Sequence, residues 1–173
     1  MEKLIRAISY DNDNPNAYPE VPEFGRPLPA DVVYVSQGRY RVGDAFQTYA
    51  SEGFAACSGF LIRGEASTTF GLLHALPMQD LYPDDFEQLK SLSGGQVILI
   101  EGSSSSPKTW ILRDLERRLG IQHVETLSLD TRRSCVGNMH FHLAFRPRTD
   151  EILLARNSHK DLLVFPGFNS GQS

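Results

Sequence analysis

The chain has 173 residues, 40% of them apolar and 22% charged, with a formal net charge of -4 and a pI near 5.7. That is enough chain for one domain with a core of its own, and the balance is ordinary for a globular protein. With no basic excess, nucleic acid and anionic membrane surfaces are set aside as partners, and no apolar run approaches the roughly 20 residues of a membrane span.

The opening MEKLIRAISY has no apolar signal region and no small-residue cleavage site, which predicts a cytoplasmic protein. The alternative is an effector exported without a classical signal. Residues 11–31 hold five prolines among many turn formers. They read as an extended arm. The expected organisation is a proline-rich arm over 1–30, a folded catalytic domain over 31–157 and a C-terminal tail over 158–173, whose PGFNSGQS end looks frayed.

VVYVS at 32–36 is β-branched, Gly38 follows as a turn, and RYRV at 39–42 alternates; together they predict a hairpin. FAACSGFLI at 54–62 reads as a buried strand or a strand-to-helix elbow, and periodicity does not decide between them. A strand is expected around Phe70 to Leu73. Asp84 is placed to cap a helix from 85 to about 92, stopped by Gly94 and Gly95. QVILIEG at 96–102 is a buried strand. Ser106 as N-cap and Pro107 at the first helical position open the clearest helix. Ile111, Leu115 and Leu119 line its apolar face and Gly120 ends it. Strands follow at 122–128, 138–145 and 151–155. The implied fold is α+β, a mixed or antiparallel β-sheet sandwich flanked by helices.

Cys57 lies between Ala56 and Ser58-Gly59, with Gly53 upstream. Small residues allow a tight backbone and bring N–H groups near a substrate. A thiol there can attack a carbonyl while those amides hold the oxyanion. Packing is the plainer role, because a cysteine is among the most often buried residues. His74, in GLLHALP, is either a satisfied core histidine or the base for that thiol. His140 and His142 alternate on one strand face, but a metal site needs a third ligand and none stands at a motif spacing. His123 and His159 are isolated. GSSSSPK at 102–108 leads into a helix N-terminus but lacks the glycine and Lys-Ser/Thr ending of a phosphate-binding loop. Cys135 sits near Arg132 and Arg133 with no base placed beside it, so it reads as a bystander thiol. Two cysteines without a CxxC pair offer neither a disulfide framework nor a zinc site.

Taken in order, DVVYVSQGRYRV, QTYASEGFAACSGFLI and FGLLHALP resemble the chemoreceptor glutamine deamidase CheD. The resemblance covers roughly residues 31 to 156, including VILIEG, KTWILRDLERRLGI and EILLAR. It implies that Cys57 is the nucleophile and that His74 is its histidine. It also implies that Ser51 is the polar third residue, a serine where the family usually has threonine. SEGFAAC and SLDTRRSCVGN depart from the family's glycine-rich motifs. The wider superfamily, which includes cytotoxic necrotizing factor and Burkholderia lethal factor, carries the same pair. The resemblance implies conversion of a protein glutamine to glutamate through a thioester, with no metal and no cofactor. The partner would be a substrate protein, a chemoreceptor or a host protein. Gly53 and Ala56 are the residues expected to support the oxyanion. A transglutaminase-like or protease activity on the same pair, and a non-catalytic binding module, are the alternatives.

Overall fold

The computed structural model describes residues 4–8, 31–54, 56–102, 109–129, 141–156 and 162–169. Two strands are buried almost throughout, β5 (Ser58–Arg63) and β7 (Gln96–Gly102). Near-continuous apolar runs of this kind belong to strands covered on both faces. They sit at the middle of a six-stranded mixed sheet with the order β1 (Leu4–Ile8), β8 (Gln122–Leu129), β7, β5, β6 (Thr69–Ala75), β3 (Tyr40–Asp44). β7 pairs in parallel with β8, and β5 pairs antiparallel with both β6 and β7. A second, five-stranded sheet runs β11 (Leu162–Pro166), β10 (Glu151–Arg156), β9 (Phe141–Arg146), β4 (Thr48–Phe54), β2 (Val32–Tyr34).

Alternation along the strands sorts side chains into layers. Leu61, Phe70, Leu72, Ile98 and Ile100 of the first sheet meet Tyr49, Phe54, Phe141, Leu143 and Leu154 of the second. On the opposite face of the first sheet, Phe60, Ile62, Leu73 and Leu99 meet α1 (Pro83–Gln88) and α2 (Thr109–Leu119) through Phe86, Ile111 and Leu115. The order is therefore sheet, sheet, helices. The α+β class and the paired sheets agree with expectation, and the described helices lie against one face of the first sheet. None of them is long and apolar enough to cross a membrane.

Several local expectations are corrected. β2 and β3 do not form a hairpin. β2 pairs in parallel with β4 in the second sheet and β3 pairs antiparallel with β6 in the first. Gly38 takes φ +73°, a conformation glycine reaches without a Cβ penalty, and turns the chain from one sheet to the other. Its N–H donates to the His74 carbonyl at 2.8 Å. The segment read as an arm contributes β1, paired in parallel with β8. The segment read as a tail contributes β11. Beyond β11, both Asp150 carboxylate oxygens accept backbone N–H groups, from Phe168 at 2.9 Å and Asn169 at 2.8 Å, and Phe168 is buried. The helix expected over 85–92 starts earlier and breaks. α1 begins after Tyr82, whose N–H donates to the Asp85 carboxylate at 2.8 Å, and Lys90–Leu92 is a separate 3-10 turn. Asp84 lies inside the helix, because Pro83 takes the first helical position where no N–H is needed. Ser106 and Pro107 lie outside the described residues. α2 buries Ile111, Leu115 and Leu119 as expected and ends with Gly120 N–H donating to Glu116 O at 3.0 Å.

Gly95 opens β7 against the end of β5. A Cβ there would stand 1.9 Å from the Arg63 carbonyl oxygen. Backbone cannot retreat as a flexible side chain can. Gly95→Ala is expected to cost about 3 kcal/mol, read as a lower denaturant midpoint with an unchanged slope; an unaltered midpoint would refute the close approach.

Candidate active site

β4 runs along the face of the second sheet that meets the first. Tyr49 points into the layer between the sheets and Ala50 points away from it. Ser51 therefore points inward again, and it is fully buried. The pairing of β4 with β9 then slips. Ser51 lies opposite Leu143, but Phe54 lies opposite Phe141, so β4 spends three steps where β9 spends two. This β-bulge puts Phe54 on the same face as Ser51, although an odd spacing in a regular strand would send it to the other side. Gly53 falls inside the bulge.

On β6, Phe70 and Leu72 point into the same inter-sheet layer. His74 shares their parity and has no solvent exposure. Its backbone N–H donates to the carbonyl of Arg39, the residue before β3, at 2.9 Å. Gly59 of β5 is the residue paired across from His74. Cys57 directly precedes β5, with 8% exposure, and packs in the same core cluster as Phe54, Phe141 and Leu143. Ala56 is half-buried beside it. The structure thus gathers Ser51, His74 and Cys57 into one layer, with Gly53 and Ala56 on the segment that joins Ser51 to Cys57.

One hydroxyl orders this group. Ser51 Oγ–H donates to the Val35 carbonyl. A serine has a single hydroxyl proton, so toward His74 its oxygen accepts. The Ser51 Oγ to His74 Nδ1 distance is 2.7 Å. Nδ1 therefore carries the proton and Nε2 carries the lone pair. That Nε2 is buried and has no hydrogen-bond partner among the described residues. Phe54 lies flat on the ring, with centroids 3.8 Å apart and planes 13° apart. Burial pushes the His74 pKa down from 6.5 to about 4. The imidazole at neutral pH is uncharged, and its Nε2 carries a buried lone pair.

A stability signature follows from that shift. Between pH 6.5 and 4 the unfolded chain binds a proton at residue 74 and the folded chain does not. Stability is therefore full above 6.5 and falls as the pH drops toward 4, by about 3 kcal/mol in total. Urea midpoints measured from pH 7 to 4 are expected to fall more steeply in the wild type than in His74→Gln. Parallel curves would overturn the assignment.

The other sequence-marked residues lie elsewhere. His123 is on β8, with Nε2–H donating to the Glu125 carbonyl at 2.8 Å and Thr126 Oγ at 3.0 Å. His142 is half-buried on β9, while Cys135, His140, His159 and residues 103–108 lie outside the described residues. Among the described residues no cluster of three His, Cys, Asp or Glu side chains is placed to hold a metal ion. A cavity of about 580 Å³ along α2 is lined by Trp110, Arg113 and Arg117. Another of about 430 Å³ lies at the β3–β4 turn, lined by Phe46, Arg146 and Arg148. Neither includes Cys57, His74 or Ser51. Sequence reasoning missed Phe54 and the Val35 carbonyl. A backbone acceptor leaves no side-chain signal, and an aromatic in a buried run reads as core. Only a pairing register reveals the bulge.

No family model matches the chain, and no curated protein matches it. Among solved structures it is similar to the C-terminal domain of CNFy from Yersinia pseudotuberculosis, at 11% identity and a TM-score of 0.30. The similarity covers 78% of this chain and 62% of that one, so the chain spans less than two thirds of that structure.

Proposed function

We propose that the protein is a cysteine-dependent amidohydrolase that converts a glutamine side chain of a protein partner to glutamate. The observation that carries this reading is the Val35–Ser51–His74 chain of hydrogen bonds, which leaves an uncharged imidazole with its Nε2 lone pair unspent, stacked on Phe54, a member of the core cluster that holds Cys57. The CheD resemblance of the sequence supports the amide substrate; the oriented, uncharged imidazole supports His74 as the base.

Nε2 takes the Cys57 thiol proton as sulfur bonds to the carboxamide carbon. In this reading backbone N–H groups at Ala56, Cys57 and Gly53 are the donors to the oxyanion, each such donor being worth about 3–4 kcal/mol. The C–N bond breaks, Nε2–H protonates the departing ammonia, and a thioester remains. Nε2 then takes a proton from water, the resulting oxygen attacks the thioester, and the thiolate leaves and recovers its proton. Because burial makes His74 resist protonation, proton transfer accompanies attack, and the resting imidazole is uncharged.

The test is incubation with glutamine-containing peptides and with unfolded casein, reading ammonia release and a gain of about 1 Da at a glutamine, the mass change of amide to acid. Activity that persists undiminished in Cys57→Ala overturns the reading. Incorporation of an added primary amine in place of water would identify a transglutaminase-like enzyme. One observation favours a second reading: His74 is fully buried and Cys57 nearly so. A binding module with an unused pair has the same closure. A peptide bearing a diazoketone in place of the glutamine amide separates the two, since a working pair alkylates Cys57 and an unused one does not.

A further inference from the structure

We propose that Phe54 is a positioning residue for His74: its ring, turned inward by the β4 bulge, fixes the plane of the imidazole and so the direction of Nε2. This adds a residue to the proposed amidohydrolase and rests on that reading for its kinetic part only.

The hydrogen bond from Nδ1 to Ser51 Oγ fixes one point on the edge of the ring. It leaves the ring able to tilt about that point, and a tilt swings Nε2 across the site. Contact with a face removes that freedom. Phe54 supplies it at 3.8 Å and 13°, close to parallel. Phe54 is itself backed by Phe141, at 5.0 Å and 15°, so three rings form one stack. Phe54 and Phe141 are both fully buried. The space for the stack is made by Gly59, the partner of His74 across β5 and β6. A Cβ there would sit 3.3 Å from the Phe54 ring and 3.2 Å from Leu143. A regular β4 would present Ser51 or Phe54 to the imidazole, never both. The bulge between them delivers an edge contact and a face contact from one strand. A bulge inside a paired strand forgoes ladder bonds, and re-aiming a side chain next to a site is a recurrent use of one.

The experiment compares Phe54→Leu and Phe54→Met with Phe145→Leu in the full chain. Phe145 is a buried phenylalanine of the same core cluster that meets Phe70 at a tilt and Phe168 edge-on, with no ring contact to His74. It reports what generic loss of a core ring does. Leucine and methionine have nearly equal volume but differ in shape, so the two position-54 variants repack the lost ring in different ways, and the unbranched methionine adapts more readily to the gap. Two readouts are taken, the kcat and KM of ammonia release from the glutamine peptides, and 13C relaxation of the His74 ring Cε1. The position-54 variants are expected to lower kcat about 100-fold with KM little changed, the size of effect that misplacing a reacting group by about 1 Å produces. Their His74 ring is expected to gain fast motion absent from the wild type and from Phe145→Leu. Wild-type kcat and a rigid ring in both Phe54 variants would overturn the proposal, as would an equal loss in Phe145→Leu. A wild-type chain that releases no ammonia overturns the amidohydrolase reading alone, and ring relaxation then decides the role of Phe54 by itself.

Discussion

Cys57→Ala is expected to lower the rate of glutamine hydrolysis by about 10⁵-fold or more, the scale seen when the nucleophile of a covalent hydrolase is removed. Without sulfur no thioester forms, and His74 is left to direct water at an unactivated amide. The substitution is nearly silent for the fold. It deletes one heavy atom from a residue at 8% exposure, at a cost of about 1 kcal/mol. The two readouts therefore separate, with ammonia release lost and thermal unfolding little moved. A variant that unfolds at assay temperature would show the thiol to be chiefly a packing element. A folded variant within tenfold of the wild type would remove Cys57 from the chemistry.

Ser51→Ala should damage both stability and rate. The hydroxyl satisfies two buried groups together, the Val35 carbonyl and the His74 Nδ1–H. Removing it strands both in a site closed to bulk water, at about 2–4 kcal/mol. It also removes what decides which nitrogen holds the proton. With Nδ1 no longer favoured, a share of the molecules carries the proton on Nε2 and has no base. A wrong tautomer in a comparable triad lowers kcat by about 10⁴, and a drop of about 10³ is expected here on the same ground. Ser51→Thr keeps the hydroxyl and should recover most of the rate. Imidazole 15N shifts check the cause directly, with the Nδ1-protonated form dominant in the wild type and in Ser51→Thr and mixed in Ser51→Ala. An alanine variant with wild-type shifts would show that Ser51 does not set the tautomer.

What the sequence makes legible follows from how local each signal is. β7 was readable to its ends because QVILIEG is apolar throughout, and α2 because its apolar residues repeat at helical spacing. β5 was readable as buried but not as a strand, since a run covered on both faces has no period. The sequences of β2 and β3 resemble one hairpin, because alternation around a glycine says nothing of which sheet receives each strand. β4 escaped notice because Ser51, Glu52 and Gly53 interrupt its apolar pattern. β1 is five residues long and gains its place through β8, more than a hundred residues away. The site followed the same division. Cys57 and His74 stand out by chemistry, and Ser51 by the family resemblance. The direction of its hydroxyl, and the ring on the imidazole, exist only in three dimensions.

Ser51 is carried by the second sheet, while His74 belongs to the first and Cys57 adjoins it. On the proposed chemistry, neither layer holds the whole proton path. A first sheet formed alone would own a thiol and an imidazole but nothing to choose between the two ring nitrogens. On the proposed chemistry, turnover is thus a gauge of how well the two layers are seated, not of whether their strands exist. A collapsed chain with its secondary structure in place and its interior unseated would be silent, as a molten globule is to any probe of fixed packing. Warming or mild denaturant that lets one layer slip against the other would extinguish activity while the backbone signal still reads as native.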